Sequence, residues 1–164
     1  MKRHAGLHPL SRHHHFALIQ VLEMRRATQA PAARRPAALR TAAEKFLRFW
    51  KKTGQRHFRE EEEILLPAYA RRMRLNRDAA VMRMLAEHAS IRALVQQLED
   101  SLEAGRPTKE SANCLEELAR TLHDHVRFEE NEVFPRIETA LAESDLMALG
   151  QRLADLHPKN SCEV

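Results

Sequence analysis

The sequence predicts an all-α protein, an up-down-up-down antiparallel four-helix bundle with a short C-terminal helix, and three observations carry that expectation. Helix-forming Ala, Leu, Arg and Glu dominate a chain of 164 residues with only 4 Gly. Apolar residues recur at intervals of three and four along four long stretches, and strand signals are nearly absent. Finally, His57-Phe-Arg-Glu-Glu61-Glu62-Glu-Ile-Leu65-Leu66-Pro67 is answered by His125-Val-Arg-Phe-Glu129-Glu130-Asn-Glu-Val133-Phe134-Pro135, an internal repeat dividing the chain into two related halves.

Residues 1–8 read as a loosely held lead-in, and Pro9 with Ser11 starts a first helix that runs to about Arg26. Its inward face is expected to carry His15, Leu18 and Leu22, at i, i+3 and i+7. Pro31 and Pro36 then enforce a connection. The second helix starts near Pro36 and continues past Pro67 with a kink there, keeping Phe46, Trp50, Thr53, His57, Glu61 and Ile64 on one face.

A polar break at 75–78 precedes the third helix, capped by Asp78, whose seam is Val81, Met84, Leu85, His88, Ile91, Val95, Leu98 and Leu102. Gly105 and Pro107 stop it. The fourth helix starts near Lys109 with the seam Leu115, Leu118, Leu122, His125, Glu129, Val133 and Ile137. After Ala142 a short amphipathic helix, capped by Ser144 or Asp145, is expected to pack across the bundle end, and beyond His157 and Pro158 the chain reads as a frayed tail. The whole, 1–164, makes a single domain with its bundle core at about 8–140 and the C-terminal helix and tail at 143–164.

Composition narrows the function. A hydrophobic content of 43% suffices for one helical core. The net charge of +4 is split between Arg25, Arg26, Arg34 and Arg35 at one connection and Arg71, Arg72, Arg74 and Arg77 at the next, with no interleaved aromatics to stack bases. That argues against nucleic acid. No apolar run of membrane length and no leader pattern is present, so the expected location is cytoplasmic with no membrane partner. Cys114 and Cys162 form no Cys-x-x-Cys motif. Histidine usage, 10 residues, is what needs explaining.

In each repeat a His and the Glu four residues on share a helix face and can present a nitrogen and a carboxylate to one point. A single such pair is ordinarily a surface ion pair. Two in register, joined by His15 and His88 on apolar seams, would place four imidazoles and two carboxylates in the interior, which is heavily destabilising without a partner. A metal supplies one. His15, His57, Glu61, His88, His125 and Glu129 are therefore the candidate ligands, and the duplication suggests two metals. Mixed imidazole and carboxylate donors suit iron, manganese or zinc better than magnesium or calcium. His4, His8 and His157 fall outside the helices, and His13, His14 and His123 off the inward face. A register shift of one residue would exchange His14 for His15, and His14, Glu60, Glu62 or Glu130 could add a ligand.

Over residues 8–140 these motifs resemble the hemerythrin-like family of His-His-Glu cation-binding domains, through His15, His57 with Glu61, His88, His125 with Glu129, and the Glu-x-x-Leu-Leu-Pro and Glu-x-x-Val-Phe-Pro continuations. The resemblance implies two non-haem Fe ions, replaceable by zinc or manganese, bridged by Glu61 and Glu129, with His15 and His57 on one and His88 and His125 on the other. It further implies a small diatomic ligand, O2 or NO, or peroxide, and either binding and sensing or redox catalysis such as peroxide removal, ferrous oxidation or nitric oxide reduction. Two departures stand out. Arg92 occupies the place of a second third-helix histidine found in oxygen-carrying hemerythrins, and Glu129 and Glu130 sit four and five residues after His125, where those proteins have an aspartate at five. Arg92 has no lone pair to offer a metal.

Overall fold

The computed structural model describes residues 3–104 and 109–156, and among these residues every regular element is helical. A 3-10 turn at Ala5–Leu7 leads into α1 (His8–Thr28). The second rod comprises α2 (Arg35–Phe49), α3 (Gln55–Glu60) and α4 (Leu66–Ala70), joined through π-turns at Trp50–Gly54 and Glu61–Leu65. A 3-10 turn at Leu75–Arg77 precedes α5 (Ala79–Glu103). The last rod comprises α6 (Lys109–Phe128), a π-turn at Glu129–Val133 and α7 (Phe134–Ala140), and α8 (Glu143–Asp155) follows. Helix α1 packs on α2 and α6, and α5 packs on α6 and α2, as in a helical bundle. None of the described helices is long and apolar enough to cross a membrane. The predicted stop at Gly105 and Pro107, together with His157 and Cys162, lies outside the described residues.

The disturbance expected at Pro67 is taken up in the turn before it. Proline lacks an N–H, and its ring presses on the carbonyl four residues back. Upstream of Pro67 and Pro135 the helix widens by one residue per turn: Leu66 N–H donates to Glu61 O, and Phe134 N–H to Glu129 O. The two widened turns therefore begin at the same place in each repeat, at the glutamates singled out above. Such turns recur at functional sites because they re-aim side chains without breaking a helix.

In α1 the inward register differs from the expected one. Leu10, His13, His14, Ala17, Val21, Met24 and Ala27 are buried, whereas His15 is exposed, Leu18 half-buried and Leu22 48% exposed. Both rows obey helical spacing. The large side chains of Leu18 and Leu22 favour one reading of the sequence, but close packing of α1 on its neighbours selects the row containing the small Ala17. Phe16, Ile19 and Leu22 stay outside.

From Arg3 onward the lead-in is firmly held. Arg3 pairs with Glu130 and Glu138 at 2.9 Å each, His4 N donates to Glu138 at 2.7 Å, and Leu7 is fully buried. His4 accepts from Gly6 N as the cap of the 3-10 turn, and His8 is the first residue of α1, so neither lies in a free segment. This strap passes under α8, where a Cβ on Gly150 would stand 2.7 Å from Gly6 Cα. The α8 cap also departs from expectation: Ala142 precedes the helix without a side-chain bond, and Ser144 and Asp145 lie within its first turn. Asp78 does cap α5, accepting from Ala80 N at 2.9 Å and Val81 N at 3.4 Å, while Tyr69 Oη donates to its other oxygen at 2.8 Å.

Two apolar clusters form the core. One joins α1, α2, α5 and α6 through residues such as Val21, Phe46, Ile91 and Leu122; the other gathers Leu10, Leu65, Met84, Phe134 and the inner face of α8. Several chemistry-bearing residues fall between them: His14 between Leu10 and Ala17, His88 between Met84 and Ile91, and Glu129 between Val126 and Val133. A polar layer is thus sealed by apolar packing above and below.

Candidate metal centre

The residues of this layer come from four rods. His14 belongs to α1, His57 and Glu61 to the second rod, His88 to α5, and His125 and Glu129 to the last, all of them buried. Five of the six residues expected from sequence meet here, and the sixth place, expected for His15, is filled by His14. Ring nitrogens and carboxylate oxygens face each other without intervening side chains. Glu61 Oε1 lies 3.3 Å from His57 Nε2 and 3.9 Å from His14 Nε2, while Glu61 Oε2 lies 3.3 Å from His88 Nε2. Glu129 Oε2 lies 2.9 Å from His14 Nε2, and its Oε1 lies 3.1 Å from His125 Nε2 and 3.4 Å from His88 Nε2.

These approaches do not have the geometry of hydrogen bonds. The Nε2 atoms of all four histidines and both oxygens of both glutamates are buried with no hydrogen-bond partner. In a folded protein such groups are nearly always paired, and leaving each unpaired costs about 1–3 kcal/mol. Donors of this kind in sets of three and four, with ligand atoms within 4.8 Å of one another, fit a cation: His14, His57, Glu61 and Glu129 form one set and His88, His125 and Glu129 another.

Behind the donors stands a second layer that fixes the rings. His14 Nδ1 meets Glu130 at 2.7 Å, His88 Nδ1 meets Glu62 at 2.7 Å, and His125 Nδ1 meets Glu87 at 2.9 Å. Each carboxylate is held in turn by an arginine: Glu130 by Arg3, Glu62 by Arg92 at 2.9 Å, and Glu87 by Arg83 at 2.7 Å. A carboxylate on Nδ1 leaves the Nε2 lone pair directed inward and makes it a stronger donor. Arg92 thereby acquires a role in place of ligation, and its guanidinium also lies 5.3 Å above Phe58, which stacks on His88 at 3.7 Å. Phe134 stacks on His14 at 5.3 Å. Glu129 brings both oxygens into the cluster, whereas Glu130 turns back to His14 and Ser11.

Sequence reasoning named Glu60 among the residues that could add a ligand, but did not single out Glu87 or the pairing of Glu60 with buried His13, whose Oε2 and Nδ1 are 3.6 Å apart. His13 was expected off the inward face but is only 8% exposed. Recognising the row Leu10, His14, Ala17, Val21 would have exposed the register of α1. Glu87 carried no comparable signal, because its partner is 38 residues away. His123, half-buried and beside Asp124, stays outside the centre as expected.

With no cation bound, protons would have to balance the charges. Burial works against charging His14, yet the adjacent carboxylates of Glu129 and Glu130 raise it to about 10. Burial likewise opposes charging of His88, but Glu129, Glu61 and Glu62 raise it to about 11. Burial, then the His14 charge, pushes His57 well below its ordinary value, while burial and Glu129 lift Glu61 to about 7. Burial acts to raise Glu129, but His125, His14 and His88 hold it well below the usual carboxylate range. Glu130 is also opposed by burial, yet His14, Ser11 and Arg3 hold it at about 2.

The sign of the resulting pH dependence follows from linkage. His14 and His88, raised above 6.5, contribute stability that is full below 6.5 and is lost as pH rises through 10–11. Glu130, depressed, contributes stability present above 4.5 and lost as pH falls through 2, while the raised Glu61 forfeits its own contribution between 4.5 and 7. Metal-free protein should therefore unfold more easily above pH 10 and below pH 4, as urea titrations across pH would show. Loading with a divalent cation at pH 7 is expected to release protons, chiefly from His14 and His88 and in part from Glu61, measurable in a weakly buffered dye solution. No net release would contradict the assignment.

No curated protein and no solved structure matches the chain significantly. The family model described as Hemerythrin HHE cation binding domain matches residues 5–137, which include every donor of the polar layer, and the chain belongs to that family.

Proposed function

We propose that this chain holds two iron ions between four long helices running alternately up and down, and uses them to bind or sense O2 or NO. The proposed ligands are His14, His57, Glu61, His88, His125 and Glu129, with His14 taking the place expected for His15. The observation that carries the reading is the way each buried carboxylate is divided: one oxygen of Glu61 and of Glu129 faces the His14 and His57 side, and the other faces the His88 and His125 side. Two carboxylates shared in this fashion between two pairs of imidazoles suit a pair of cations. The mixed donors suit iron, zinc or manganese, the family match supports iron, and no thiolate is among the donors of this set, unlike structural zinc sites.

When bound, iron supplies the affinity for a diatomic ligand and the capacity to exchange electrons with it. The protein's own contribution is orientation and exclusion of water. Glu130, Glu62 and Glu87 hold the rings of His14, His88 and His125. Beside the centre lies a small cavity lined by Ala17, Phe49, Trp50, Phe58, Leu122 and Val126 together with the rings of His14, His57 and His125. Apart from those rings its lining is apolar, which suits a small apolar molecule. Glu87→Gln is expected to weaken metal binding by about 10–100-fold, the ordinary cost of losing such a partner, in competition with a chelator. An affinity unchanged by the substitution would show that the Glu87 contact is incidental.

A second reading, redox turnover of peroxide, ferrous iron or NO, is favoured by the ligand count. Two histidines and two shared carboxylates leave positions on each iron for exogenous groups. Mixing anaerobic ferrous protein with O2 separates the two: a reversible absorbing adduct supports binding, and sustained consumption of peroxide or NO supports turnover. Two bound irons that respond spectrally to none of these ligands would sink both.

A further inference from the structure

The polar layer has one side that differs from the others. Around His14, His88 and His125 a carboxylate is locked to an arginine; the three imidazole side chains are 0–3% exposed and those carboxylates 21–27%. Around His57 the arrangement differs, and the neighbouring carboxylate, Glu60, is 2% exposed. Glu60 and His13 stand beside its ring, and His13, His57 and Glu60 each offer a ligand atom within 4.8 Å of the others. The His13 and His57 side chains are 10% and 7% exposed, the highest values among the histidines of the layer. Both rings also line the cavity beside the centre, and they meet edge to face at 5.4 Å. Outward from Glu60, the partly exposed Arg56 approaches Glu60 Oε1 at 3.5 Å.

We propose that His13, Glu60 and His57 form a third, transient site for a divalent transition-metal cation, through which ions reach the dinuclear centre. This rests on the dinuclear reading above. The chemistry is ligand exchange without redox change. An incoming hydrated cation loses water to Glu60 and His13, whose carboxylate and imidazole match the donors of the centre. His57 belongs to both sets, so moving inward replaces Glu60 and His13 by Glu61 and its partners while one ligand is kept. Both oxygens of Glu61, of Glu129 and of Glu60 are sealed from solvent, so entry requires the partly exposed Arg56 side chain to move off Glu60. Glu60 provides the negative charge that draws the cation in, and Arg56 supplies a positive charge that occupies Glu60 when no cation is there.

Metal-free full-length chain would be mixed with Co(II) in a stopped-flow instrument, following d–d absorption, and the final metal content measured by elemental analysis. His13→Gln and Glu60→Gln would be compared with wild type and with His15→Gln, an exposed control, after circular dichroism confirms that each is folded. Uptake is expected to slow about tenfold in both His13→Gln and Glu60→Gln, with the wild-type rate kept in His15→Gln and the same two equivalents reached by all. Rates within about twofold of wild type in both variants would overturn the proposal. So would loss of an equivalent at saturation in either, since His13 or Glu60 would then be a resident ligand. Wild-type protein that never reaches two equivalents would overturn the dinuclear reading itself, and the route with it.

Discussion

His14→Ala is expected to lose one of the two bound metals, whereas His15→Ala keeps both. The two residues are adjacent, share a side-chain type and were exchanged between sequence and structure. His14 Nε2 lies 2.9 Å from Glu129 and its Nδ1 is fixed by Glu130, while His15 is exposed on the far side of α1. Removing a direct donor should exceed the 10–100-fold cost of removing a partner behind one, so affinity at that metal should fall by more than about 100-fold. Chelator competition on both variants measures it directly. Equal behaviour of the two would mean that α1 contributes no ligand, or that its register is the one the large apolar residues suggest.

Loading the stripped protein with metal is expected to raise its thermal midpoint by about 8–16 °C. A ligand that binds only the native state and is present at a thousand times its dissociation constant adds about 4 kcal/mol. In a chain of this size each kcal/mol moves the midpoint by roughly 2–4 °C. The source of the gain is specific: cations would satisfy four ring nitrogens and four carboxylate oxygens that otherwise have no hydrogen-bond partner. Differential scanning calorimetry with and without chelator reads the difference. A midpoint that does not move would show that the layer is already satisfied by protons alone.

Much of this was legible in the sequence, for identifiable reasons. His88, His125 and Glu129 sit on seams whose other members are large and apolar, so helical spacing places them inward without ambiguity, and all three are buried. The two repeats gave His57 and Glu61 by the same logic. Helix α1 was harder because it carries two stripes, and its true inward row contains His13, His14 and Ala17, which hydrophobicity alone ranks below Leu18 and Leu22. The strap at 3–7 could not be foreseen either. Its anchors, Glu130, Glu138 and Glu143, are more than a hundred residues away, and no local pattern links them to Arg3 and His4. The π-turns were half visible: the prolines announce a disturbance, but not that it is absorbed upstream at Glu61 and Glu129.

The central claim is that two cations share Glu61 and Glu129 within the sealed layer. Elemental analysis of anaerobically reconstituted, desalted protein tests it most directly. Two irons per chain are expected, falling to one or fewer in Glu129→Ala. A single iron at saturation, or two that survive the loss of Glu129, would contradict it.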